Sequence, residues 1–141
     1  MAMPHRIDMR EPRHVDVAGE DTAYQAFRIL QVAFALAPII AGADKFFGFL
    51  VNWDQYLSPT VARLLPIAPH TFMLVVGVVE MLAGLIVMVA PYYGGYLVTL
   101  WLWGIIANLI MMGRFYDVAL RDFGLSLGAT ALARLSRRYS P

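Results

Sequence analysis

Apolar positions along this chain fall in long blocks, and charges appear mainly where one block ends and the next begins. The first 23 residues, "MAMPHRIDMREPRHVDVAGEDTA", alternate acid and base without a sustained period and read as a polar tail. Four apolar segments follow, at about 24–43, 71–90, 94–112 and 118–135. A helix needs about 20 residues to cross about 30 Å of hydrocarbon, and each segment is near that length. Arg28 lies near the start of the first segment, and Glu80 is the sole charge in the second. The third segment has no charge, and the fourth carries Arg121 and Asp122 in its first turns. The pattern predicts an all-α membrane protein, a four-transmembrane-helix bundle occupying 24–138.

The connections are unequal. "PYYGG" (91–95) predicts a very short reversal, with Pro91 and the glycine pair ending one helix before the next begins. The first loop, 44–70, is the longest and rich in aromatic residues. Phe46, Phe47, Phe49, Trp53 and Tyr56 suit the depth where aromatic rings settle between lipid and water. Phe49, Trp53 and Tyr56 are expected to present a surface to a partner. Either the first helix continues past Lys45 or a short surface or re-entrant helix follows.

Composition supports the membrane reading. Hydrophobic residues make up 60% of the chain and charged residues 15%, where about 25% charged is usual. A 141-residue soluble domain has too much surface for its volume to hide that many apolar side chains. The absence of cysteine removes disulfides and thiolate chemistry, and a net charge near +1 offers nothing to nucleic acid. Four spans put both termini on one side. Arg6, Arg10, Arg13, Arg28, Arg134, Arg137 and Arg138 fall on that side, against Lys45, Arg63, Arg114 and Arg121 on the other. This bias predicts cytoplasmic termini.

Helical spacing groups the unusual residues onto one face per span. Arg28, Gln31, Ala35, Pro38, Gly42 and Lys45 share a face in the first; Gly77, Glu80 and Gly84 in the second. Trp101, Gly104, Asn108 and Met111 form a stripe in the third; Asp117, Arg121, Gly124 and Gly128 in the fourth. Small residues let helix backbones approach closely, so Gly77, Gly84, Gly104, Gly124 and Gly128 are expected at helix contacts. Glu80, Arg121, Asp122, Lys45, Asp44, Asn108 and Asp117 are expected to form a polar intramembrane cluster. Glu80 is the deepest, roughly 13 Å from residue 71 at 1.5 Å per residue. An ionised carboxylate there must pair, be protonated or line a wet cavity. It either fixes the register of the bundle or forms a functional site. Arg121 is the expected partner ahead of Lys45, because its planar fork holds a carboxylate through two hydrogen bonds.

Three stretches together resemble the DoxX/DoxD-like family of small membrane proteins. "GADKFFGF" (42–49) is similar to that family's first-helix signature, "VVGVVEMLAGLIVM" to its second helix, and "YDVALRDFGLSLGATALARL" to its last, with the Arg121–Asp122 pair. The resemblance covers roughly residues 24–135. It implies four transmembrane helices in a bacterial inner membrane, and association with redox or stress systems, including a quinone-interacting subunit of a thiosulfate oxidoreductase. The long loop "FLVNWDQYLSPTVARLLP" departs from the family's minimal connection.

Other chemistry is poorly represented. His5 and His14 fall in the tail and His70 at a span boundary, so no two share a membrane depth for haem. No carboxylate–histidine set has metal spacing. "GLSLG" lies inside an apolar helix and reads as packing. The expectation is a non-catalytic accessory subunit of a respiratory or other redox membrane complex, with no cofactor of its own. The alternatives are an oxidoreductase subunit binding a quinone, with Glu80, Arg121 and Lys45 at the headgroup, or a small transporter in which Glu80 is the carrier site.

Overall fold

A computed structural model describes residues 17–140, with side chains from residue 21 onward. The rest of the polar tail lies outside the described residues. Every element among these residues is helical, with no strand: α1 (Val17–Phe47), a short 3-10 turn (Trp53–Tyr56), α2 (Pro59–Leu64), α3 (Pro69–Val89), α4 (Pro91–Met112) and α5 (Tyr116–Tyr139). Among them, α1 from Asp21 onward, α3 and α4 are long and apolar enough to cross a membrane. The 24 residues of α5 are also long enough, but its charges set it apart from those three.

Local chemistry fixes the boundaries. α1 continues past the predicted end of the first segment until Gly48, whose φ of +69° suits a residue without Cβ. The Gly48 N–H closes the last turn on the Asp44 carbonyl at 2.6 Å. Pro69 and Pro91 occupy the first helical positions of α3 and α4, where no N–H is needed. The reversal expected over 91–95 is therefore tighter than its sequence suggests. Ala90 alone separates the two helices, and the glycine pair belongs to α4. Gly94 and Gly95 serve packing: a Cβ on Gly94 would strike the Val87 backbone, and one on Gly95 would meet the Ala129 carbonyl at 2.9 Å. Gly113 and Phe115, both left-handed, turn the chain from α4 into α5.

Consecutive long helices run antiparallel, and α5 closes the ring against α1, where Gly128 meets the Phe34 ring. In the α1–α3 pair, Gln31, Ala35 and Gly42 lie opposite Met88, Gly84 and Gly77. The Gln31 side-chain amide donates to the Met88 carbonyl at 2.9 Å, satisfying one of the open carbonyls at the end of α3. Its own oxygen accepts from Arg28 at 2.6 Å. One core cluster, built on Phe27, Ala35, Val87, Val98, Ala129 and Leu132, fills the end of the bundle where α3 passes into α4 and α5 ends. A second, Ile106, Leu109 and Ala119 with Tyr56 and Phe115 against it, fills the other end. Large aliphatic side chains such as Ile29, Leu82, Val89 and Leu100 face outward, the arrangement a bilayer requires.

Candidate functional site

The most polar part of the interior is assembled from two sequence neighbours on α1. Asp44 and Lys45 are successive residues in the last turn of a helix, so they point in different directions. Asp44 turns toward the chain that leaves the helix. Its carboxylate accepts from the Phe49 N–H at 2.8 Å, from the Leu50 N–H at 3.1 Å and from the Trp53 indole N–H at 2.8 Å. It thereby folds residues 49–53 back over the end of α1. Lys45 turns inward to α3, and its Nζ lies 2.5 Å from Glu80 Oε2, with the two side chains 3% and 10% exposed. The second carboxylate oxygen accepts from the Trp101 indole N–H of α4 at 3.3 Å. The Trp53 ring, held in place by Asp44, lies over the ammonium at 3.9 Å from its centroid. One cation thus sees a carboxylate and the negative face of an aromatic ring, two favourable electrostatic partners in a buried site.

Lys45 is therefore the partner of Glu80, and the expectation of Arg121 is corrected. Arg121 lies on the outer face of α5, 3.7 Å from Asp117, with both side chains mostly exposed. That is an ordinary pairing four residues apart, and neither residue belongs to the cluster. Asp122, one position on, faces the other way. It is half-buried and within electrostatic range of Glu80. Asn108 does not reach Glu80 either. It fastens the first loop to α4, accepting from the Ser58 N–H at 2.9 Å and donating to the Tyr56 carbonyl at 2.6 Å.

The expected partner surface separates into two parts. Phe49 is 87% exposed, with Phe46, Phe47 and Leu50 exposed beside it. Trp53 and Tyr56 turn inward instead, Trp53 over Lys45 and Tyr56 edge-on to Phe115 at 4.9 Å. Of the five expected packing glycines, Gly77, Gly84 and Gly128 stand at helix contacts. Gly104 and Gly124 do not, since a Cβ on either would meet only open space. Gly42, Gly94 and Gly95 take the remaining close approaches. The inward roles of Trp53 and Trp101 went unassigned in the sequence; Trp101 shares its stripe with Asn108, a usable but weak signal.

Two further features adjoin this end. His70 Nδ1, at the start of α3, stands 2.9 Å from Asp54 Oδ2 on the 3-10 turn. A shallow groove of about 350 Å³ runs along the outer side of α1 past Ile39, Ile40, Ala43 and Phe47 to Phe49 and Leu50, with Asp44 as its sole charged lining residue. Among the described residues no group of three or more His, Asp or Glu is placed to hold a metal ion. The chain matches no protein-family model, no curated protein and no solved structure. The site's meaning therefore rests on its geometry. A cation and an anion are locked together between α1 and α3, with indoles from the loop and from α4 closing the remaining sides.

Proposed function

We propose that this chain is a small integral membrane accessory subunit of a respiratory or other redox membrane complex, structural in role and DoxX/DoxD-like in kind. The observation that carries this reading is the closure of the group formed by Lys45, Glu80 and Asp44. Lys45, both oxygens of Glu80 and both oxygens of Asp44 are engaged within the chain. Among the described residues no buried side-chain nitrogen or oxygen lacks a partner. A catalytic or carrier carboxylate needs a free side toward its substrate, whereas a register-setting one does not. The exposed Phe46, Phe47, Phe49 and Leu50 offer apolar area for a neighbouring membrane subunit. In this reading α5 is the fourth span, its outer charges lying in its first turns, and both termini face the cytoplasm of a bacterial cell.

A quinone-interacting subunit is the second reading. The apolar groove beside Asp44 favours it, since an isoprenoid tail suits such a lining. The two are separated by purifying the tagged full chain in mild detergent, identifying its stoichiometric companions and extracting quinone. The accessory role expects redox-complex subunits and no retained quinone. Quinone held by the chain alone, and lost in Asp44→Asn, whose side chain lines the groove, would replace it with the second reading.

A further inference from the structure

The opposite end of the bundle holds a second arrangement of charge and aromatic rings. α3 ends at Val89 and α4 begins at Pro91, so two apolar helices terminate at one level. In a bilayer that level is the boundary between hydrocarbon and headgroups. α5 runs antiparallel beside α4, with Ala129 and Ala133 against Gly95, and its final turn brings Arg137 to the same level. There a groove of about 390 Å³ opens between Val89, Tyr92, Tyr93, Arg137 and Ser140. Its floor is mixed. Val89 is 80% exposed and wholly apolar, while Arg137 and the tyrosines contribute hydrogen-bond donors. The Tyr92 ring is held edge-on by Tyr93 at 5.1 Å and by Tyr96 at 5.3 Å. Arg134 and Arg138 lie within a turn of Arg137.

We infer that this groove binds the phosphodiester headgroup of an anionic glycerophospholipid. The Arg137 guanidinium and the tyrosine hydroxyls face the phosphate, and an acyl chain lies along Val89. Arginine matches phosphate oxygens in a fork, and basic pockets between helices at the membrane surface suit anionic lipids. A zwitterionic lipid brings its own ammonium into the same cluster of arginines and is disfavoured. Free phosphate shares the headgroup chemistry but gains nothing from Val89. The site rests on α3 and α4 crossing the bilayer and is independent of which complex the chain joins.

The test is native mass spectrometry of the full chain in neutral detergent, with phosphatidylglycerol or phosphatidylcholine added at equal concentration. Wild type should retain one phosphatidylglycerol in preference to phosphatidylcholine. Arg137→Gln should cut that retention about fivefold with an unchanged unfolding midpoint, and Arg137→Lys should restore part of it, supplying the charge without the fork. Arg63→Gln, on α2 at the other end, should retain lipid as wild type does. Equal retention of the two lipids, or undiminished retention by Arg137→Gln, would overturn the site. Displacement by millimolar inorganic phosphate would reassign it to the free ion.

Discussion

The aliphatic stem of Lys45 lies across the bare backbone of Gly77. A Cβ on Gly77 would stand 3.2 Å from the Lys45 Cβ, 3.3 Å from its Cδ and 2.7 Å from the Gly42 carbonyl oxygen. The missing side chain is what lets α1 approach α3 closely enough for the ammonium to reach Glu80. Gly77→Ala should therefore lower stability by about 1–3 kcal/mol, the usual penalty for overfilling a packed contact. Gly104→Ala, in open space, should be neutral or stabilising by up to about 1 kcal/mol through helix propensity. Thermal unfolding of both variants in the same detergent checks the contrast, and equal effects would refute it.

The Lys45–Glu80 pair should show strong coupling. Glu80→Leu leaves the buried Lys45 ammonium without its carboxylate and should cost about 3–5 kcal/mol. Glu80→Gln retains an acceptor for Lys45 and should cost less. Lys45→Met combined with Glu80→Leu should recover most of the loss, because no unpaired charge remains. A double-mutant cycle measures this directly; additive single effects would mean the two charges do not depend on each other.

Asp44 gathers three donors from residues 49–53, so Asp44→Ala should release that segment while the long helices persist. Hydrogen exchange at the Phe49 and Leu50 amides should accelerate by about tenfold or more. Protection within α3 and α4 should change little. Unaltered exchange at Phe49 would show that the turn is held by something other than this carboxylate.

Arg121→Gln should leave the unfolding midpoint where it is, since the arginine pairs with Asp117 on an exposed face. Lys45→Gln should lower it clearly. The reverse order would restore Arg121 as the partner of Glu80.

The helical layout was legible because apolar runs of this length have few alternatives in so small a chain. The details were harder for identifiable reasons. A proline followed by a glycine pair reads equally as a turn or as the first residues of a tightly packed helix, and here Gly94 and Gly95 sit against Val87 and Ala129. Helical spacing put Asp117, Arg121, Gly124 and Gly128 on one stripe, but a stripe does not say which side faces inward. Only the Gly128 end meets another helix, at Phe34. The partner of Glu80 was decided by position rather than by guanidinium geometry, since Lys45 emerges next to Gly77 and Arg121 points away. Asp44 and Trp53 are nine residues apart, and only a fold that reverses after Gly48 brings them together.

Ala90 has a consequence for how the chain enters a membrane. With one residue between them, α3 and α4 have no slack in which one could cross while the other waits at the surface. The segment from Pro69 to Met112 is expected to enter a bilayer as a single hairpin, its two halves paired from the start. Lengthening this joint with a flexible insert would uncouple the two halves, changing the order of assembly while leaving every later contact available.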